Sequence, residues 1–443
     1  MSSLILCSGW LCVRRLPLLC RHSRCRWKSS RVLMRHWTPP GVRWAMTPIN
    51  RRQLRSGPMS EPLHVTIIGA GLGGLCLAQG LRRRGIAFDV FERDAALGSR
   101  PQGYRIRIDA AGQRALQDCL PPSRYTLFRK TCAVPARRVN LFDPHLRPVD
   151  GRWVDSWRDD DADEPADLNA HRQTLREVLF DGIGKWVHFG RGHVRHRSCE
   201  DGRIEVTFDD GSPRMTDVLV GADGVHSGVR AQRLPGTEPA LTDASVVYGK
   251  TYLTPAALAR IDDQLPGNTT IVFGDGLAVI IDAMRFAMSP AQLQSGLSEV
   301  EPYLYWAVIA QNHRLGASGN ADASVAGLSL GWARGLRALF AYGDAASTVM
   351  LPVRATQSLA PWASSRVTLL GDAIHAMSPA GGLGANTALT DAANLAAWLG
   401  EVRQGRVGLD AAIAGYEGVL RETTARAIDA SRKGTDVLLG ALA

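Results

Sequence analysis

From Leu63 onward, short apolar runs alternate with glycine turns and amphipathic stretches. In LHVTIIGAGLGGLCLAQGLRRRGIAFDVFERD, an apolar strand enters Gly69-x-Gly71-x-x-Gly74, an amphipathic helix follows, and a second strand closes on Glu92. A second apolar run, in DVLVGADGVHSGVR, ends at Gly221 and delivers Asp223-Gly224. A third, in RVTLLGDAIHAMSPAGGLGANTALTDAANLAAWL, ends at Gly371-Asp372 and passes a Pro379 turn and several glycines into a long Ala-rich helix. Between them, WVHFGRGHVRHRSCEDGRIEVTFDDGS shows period-2 alternation around Asp201-Gly202 and predicts a hairpin. The runs ASVVYGKTYL, TTIVFG, LAVIIDAM and YLYWAVIA predict a separate sheet, and LDAAIAGYEGVLRETTARAIDAS predicts a closing helix. Strands that alternate with helices place the chain in the α/β class.

The chain has 443 residues, 45% hydrophobic and 21% charged, enough for two or three domains. Its formal charge of +10 does not describe the fold. Residues 1–60 hold 12 of the 52 basic side chains and no acidic one, which leaves 40 basic against 42 acidic side chains in the rest. A nucleic-acid-binding fold is therefore not expected. The apolar stretch Met1 to Val13 is shorter than the roughly 20 residues of a spanning helix, so a transmembrane segment is not expected either. The leader, 1–58, reads as a transit peptide, a polyanion-binding tail, or a non-native extension preceding the start-like Met59. Four cysteines lie in it, and Cys76, Cys119, Cys132 and Cys199 are too dispersed for a disulfide framework or zinc site. A reducing compartment follows, cytoplasmic unless the leader directs the chain to an organelle.

The first turn has the chemistry of a dinucleotide site. Gly69 makes the tight bend, Gly71 lets backbone approach a pyrophosphate, and Gly74 lets the helix pack on the strand. The helix N-terminus then offers free N–H groups to phosphate. Glu92 stands where a carboxylate can accept ribose hydroxyls. This unit alone leaves NAD and FAD open. In the third motif, Asp372 at a strand's carboxyl end can accept a ribityl hydroxyl, and the N–H groups from Gly382 to Asn386 open a helix that can stabilise negative charge on a ring.

The trio of GxGxxG, GADGxxSxxR and GDAxHxMxPxGGxGAN resembles the class A FAD-dependent monooxygenases, which include aromatic hydroxylases and epoxidases. The resemblance runs from about Leu63 into the last helices. It implies a Rossmann-like FAD-binding domain carrying an inserted β-sheet substrate domain and C-terminal helices. It also implies that NADPH or NADH reduces FAD, and that O2 adds to give a C4a-hydroperoxide that hydroxylates or epoxidises a small organic substrate. Carried over by position, the ADP part falls on Gly69, Ala70, Gly71, Leu72, Gly73 and Gly74, with Glu92 and Arg93. Asp223 falls between FAD and nicotinamide, while Asp372, Pro379, Gly382, Leu383, Gly384, Ala385 and Asn386 fall at ribityl and ring. Arg172, in LNAHRQTLREVL, and Arg107 fall beside the flavin, and Arg100 falls near the nicotinamide. A flavin dehydrogenase, reductase or halogenase on the same fold is the alternative.

The expected domains are a discontinuous FAD-binding domain, 59–238 and 355–443, and a substrate-binding sheet domain, 239–354. Tyr248, Tyr252, Phe273, Phe286, Tyr303, Tyr305 and Trp306 are expected either in a substrate pocket or in the core. His188, His193, His196 and Cys199 read as hairpin residues, not metal ligands, and Asp159–Glu164 as a solvated acidic loop. His375 suits either the cofactor or a local structural role.

Overall fold

A computed structural model describes residues 62–99, 104–150, 164–315, 320–359 and 361–440. Arg100, the leader and nearly all of Asp159–Glu164 lie outside them. The first layer is a five-stranded parallel sheet in the order Val367–Leu369, Val218–Gly221, His64–Ile68, Ala87–Glu92, Val187–Phe189. Val65, Ile67, Val90, Phe91, Leu219 and Val220 are fully buried because both faces of the sheet are covered, one by helices and the other by the antiparallel sheet His193–Ser198, Ile204–Phe208, Pro213–Thr216, whose Phe208 stacks on Phe91 at 4.1 Å. One face carries the helices Leu72–Arg83 and Gly384–Arg403. The carboxyl ends of His64–Ile68, Val218–Gly221 and Val367–Leu369 therefore lie together, and they are the ends that carry the three glycine motifs.

The second layer is a six-stranded sheet in the order Val349–Ala355, Ala240–Tyr252, Tyr303–Gln311, Leu277–Met284, Thr269–Gly274, Val139–Phe142. Its pairs are antiparallel except the last. Alternation sorts the strand Tyr303–Gln311 between two apolar clusters. Leu304, Trp306 and Val308 pack with Leu336 and Leu339 of the helix Arg334–Ala341. Ala307 and Ile309 pack with Ala380 of the third motif and Leu438 of the last helix, Leu409–Leu439. The sheet thus roofs the cofactor motifs with one face and is covered by helices on the other. Residues 239–354 do not supply this sheet alone, since Val139–Phe142 pairs in parallel with Thr269–Gly274.

The last helix is anchored to the first layer by polar contacts that are satisfied in the interior. Tyr416 donates to the Leu369 carbonyl at 2.8 Å, and Glu417 accepts from Thr368 at 2.9 Å and Ser364 at 2.6 Å. Among the described residues no helix is long and apolar enough to cross a membrane.

Candidate functional site

A cavity of about 350 Å³ lies where the motif ends converge under the second sheet. The glycine turn forms one end of it. Gly69 has φ +107°, and its N–H donates to the Phe91 carbonyl at 2.7 Å. A Cβ on Gly74 would stand 2.1 Å from the Gly69 carbonyl oxygen, so helix and turn touch only because no side chain intervenes. Gly71 differs from both: a Cβ there would meet no protein atom within 4 Å, and the residue faces the cavity with Leu72 and Gly73. The helix Leu72–Arg83 starts without a side-chain cap, leaving its first N–H groups and dipole end directed at that space.

Glu92 and Arg176 brace the turn. One Glu92 oxygen accepts from the Ala70 N–H at 2.8 Å and the other from the Asp94 N–H at 3.0 Å, which fixes the carboxylate and leaves lone pairs for a further donor. Arg176, buried at 2% exposure, donates to the carbonyls of Ala70 at 2.8 Å and Leu97 at 2.7 Å, and lies 3.8 Å from Glu92. Sequence reasoning missed Arg176, although it sits one helical turn after Arg172 in the helix Arg172–Phe180 and so shares its face. Arg93 is exposed beside the turn.

The middle of the cavity is lined by Arg107 and Arg172. Arg107 donates through Nε to Asp167, while its buried Nη1 has no partner. The Arg172 guanidinium lies 5.4 Å from the Tyr104 ring centre, and Tyr104 in turn meets Tyr248 at 4.8 Å. Arg105 was missed, although YRIRI puts it on the same strand face as Arg107. It reaches the fully buried Asp282 at 3.0 Å and Asn169 at 2.9 Å. Of the aromatics considered from sequence, Tyr305 lines the cavity, whereas Tyr303, Trp306 and Phe273 are buried in packed clusters.

The far end is built by the third motif. Asp372 opens toward the cavity at the strand end. The protein packed around this exposed carboxyl desolvates it and raises its pKa, against the opposing charges of His375 and Arg172. Pro379, Gly382, Gly384 and Ala385 also face the cavity, and Gly382 is left-handed at φ +63°. The helix Gly384–Arg403 begins without a side-chain cap, so a second open helix terminus points at the same space.

Asn386, Asp223 and His375 each hydrogen-bond within the protein. Asn386 donates to the carbonyls of Arg107 and Gly382, each at 3.1 Å, and accepts from the Asp109 N–H at 3.2 Å, so its side chain ties the motif to the arginine strand. Leu383 is the residue before the helix and does not line the cavity. Asp223 accepts from Ser227 at 2.5 Å and from the Gly228 N–H at 2.8 Å, and its flanking residues Ala222 and Gly224 line the cavity in its place. His375 is fully buried with Nε2 2.5 Å from Asp391, whose carboxylate also accepts the Gly371 N–H at 3.0 Å. Burial alone would lower the His375 pKa, but the Asp391 carboxylate and its hydrogen bond, with Asp372, hold it above the usual value. This pair braces the turn that presents Asp372. Sequence gave no sign of Asp391 beyond a lone acid in an Ala-rich helix.

In the hairpin, His193 and His196 approach each other at 3.2 Å, and burial pushes both down to about 4. Among the described residues no three His, Cys, Asp or Glu side chains converge to hold a metal.

The cavity therefore combines an open phosphate-binding turn, an orphaned guanidinium nitrogen, a carboxylate at a strand end and a second open helix terminus. These features fit a dinucleotide that carries a flat, electron-poor ring, as a flavin dinucleotide does. Residues 67–115 match the NAD(P)-binding Rossmann-like domain family and residues 338–431 the FAD binding domain family. The dual O-methyltransferase/FAD-dependent monooxygenase elcB of Phaeosphaeria nodorum is 35% identical over 379 residues, 76% of this chain and 40% of that protein. The counterpart CTB3 of Cercospora beticola is 34% identical over 85% of this chain and 46% of its own length. The chain thus spans less than half the length of these curated relatives. Klebsiella pneumoniae HpxO, solved with FAD and uric acid, shares the fold at TM-score 0.69 and 24% identity, over 85% of this chain and 89% of that one. A solved Photorhabdus luminescens protein assigned as an FAD-containing monooxygenase is 32% identical, with TM-score 0.73, and the match covers 85% of this chain and 98% of that one. On this correspondence, which takes in 98% of that protein, together with the convergence of the three motifs on one cavity, the chain belongs to the class A FAD-dependent monooxygenases.

Proposed function

We propose that the chain binds FAD in this cavity and uses NADPH or NADH and O2 to hydroxylate or epoxidise a small organic substrate. The observation that carries the reading is the single cavity reaching from Gly71 past Arg107 and Arg172 to Asp372 and Gly384. Gly71 and the open helix terminus behind it hold the pyrophosphate, and Glu92 holds the ribose. Asp372 accepts a ribityl hydroxyl. The orphaned Nη1 of Arg107 and the N–H groups at Gly384 and Ala385 meet the electron-rich edge of the ring. Bound FAD supplies the redox and oxygen chemistry. The protein orients the ring and, with Tyr305 of the roof and Tyr104 packed against the roof's Tyr248, keeps water from it. Arg100 is assigned to the nicotinamide. The free, buried Cys76, Cys119 and Cys132 suit a reducing compartment, and we place the protein in the cytoplasm.

The test is the identity of the flavin released when purified protein is denatured and chromatographed. FAD is expected; FMN alone, or no flavin after reconstitution with FAD, would refute the role of the glycine turn.

A further inference from the structure

A larger cavity, about 740 Å³, lies outside the flavin cleft, between the last helix, the edge strand Val349–Ala355 and the segment Ala376–Ser378. Met377 and Ser378 line both cavities and form the wall between them. That wall is pinned: Ser431 of the last helix donates to the Ser378 carbonyl at 3.1 Å, and the Thr356 N–H donates to the Ala376 carbonyl at 2.8 Å. Val353, Leu359, Ile428 and Leu439 give the cavity apolar sides.

Two polar groups in it are unspent. Thr424 is fully buried, and its hydroxyl has no hydrogen-bond partner. Arg421, one helical turn earlier on the same face, has a buried Nη1 with no partner and, among the described residues, no carboxylate within ion-pair distance. Its guanidinium instead lies 5.0 Å from the Trp362 ring centre, which holds the side chain in place. The other arginine lining the cavity is satisfied: Arg432 lies 2.8 Å from Asp429. Burying an unpaired guanidinium nitrogen and an unbonded hydroxyl is costly unless a ligand completes them.

We propose that this cavity is a second small-molecule site, separate from the flavin cleft, for a flat, largely apolar aromatic anion. Its carboxylate or phenolate oxygen accepts from Arg421 Nη1 and Thr424 Oγ1, and its rings lie against Val353, Leu359 and Ile428. The volume suits a ligand of several rings.

The test is calorimetric titration of the full chain with 2-naphthoate, with FAD present at saturation and 2-naphthamide as the neutral comparator. Binding of 2-naphthoate is expected in the presence of FAD and tighter than that of the amide. Arg421→Met keeps the aliphatic stem on Trp362 and removes the charge; it should weaken naphthoate at least tenfold and leave the amide within twofold. Ile428→Trp fills the cavity without touching the charge and should abolish both. Each variant should retain wild-type FAD content, which establishes that it folds and keeps a failure here distinct from a failure to bind flavin. Naphthoate binding that FAD competes away, binding indifferent to both substitutions, or no binding at all would overturn the proposal.

Discussion

Substituting two glycines of the same turn should separate folding from cofactor binding. A Cβ at position 74 would stand 2.1 Å from the backbone oxygen of Gly69, against an ordinary contact of 3.4 Å or more. Helix and turn must therefore part by about 1 Å, an overpacking strain on the order of 3 kcal/mol. Gly71→Ala imposes no such strain. Its φ of −74° and ψ of −177° suit alanine, and no protein atom lies within 4 Å of the new methyl. The apoprotein should keep its stability within about 0.5 kcal/mol. The methyl does stand where the pyrophosphate approaches, and losing one charge-assisted N–H hydrogen bond costs about 1.5–3 kcal/mol, roughly a 10- to 150-fold rise in Kd. Urea unfolding of the apoproteins and flavin-fluorescence titration with FAD read the two effects. Gly74→Ala should fail both, and Gly71→Ala only the second. A Gly71→Ala protein that binds FAD within twofold of wild type would refute the placement of the pyrophosphate.

Three further outcomes follow from the same geometry. Asp391→Asn leaves the buried His375 without its counter-ion and should destabilise the protein by about 3–5 kcal/mol in urea unfolding, because a buried pair is broken from one side. Stability should peak near the unfolded-histidine value of 6.5. The raised His375 contributes stability that is lost as pH rises through its folded value. His193 and His196, held down to about 4, contribute stability that is lost as pH falls from 6.5 toward 4. Replacing both with phenylalanine should flatten the acid limb of urea midpoint against pH, and an unaltered limb would reject their part in it. Gly382→Asp puts a carboxylate beside the proposed ring at a left-handed position that aspartate tolerates better than most residues. One unit charge there is worth about 1–4 kcal/mol, so the two-electron potential should fall by about 20–90 mV in spectroelectrochemical titration.

What could be read from sequence is what depends on local chain geometry. Strand, glycine spacing and helix start are neighbours in the chain, so the turn at Gly69–Gly74 and the helix opening at Gly384 were visible as patterns. The destinations of single polar side chains were not. Asn386 is spent on the backbone of Arg107, 279 residues away, and Asp223 on its own following helix start. Nothing in either motif string separates a cofactor contact from a brace. Val139–Phe142 was invisible as a sheet strand because its parallel partner, Thr269–Gly274, lies far along the chain. The aromatics failed to sort because both faces of their sheet are covered: alternation divides Tyr305 from Trp306 but does not say which face holds the cleft.

The proposed flavin passes electrons from a reduced nicotinamide to O2, and that transfer consumes both. The most direct measurement is an oxygen-electrode trace of FAD-reconstituted protein with NADPH, and then NADH, while absorbance at 340 nm is followed. Oxygen uptake that begins only when the reductant is added, and is lost in Gly71→Ala at limiting FAD, is the predicted result. A protein that retains stoichiometric FAD yet consumes neither reductant nor oxygen, with a panel of phenols and quinones present, would contradict it.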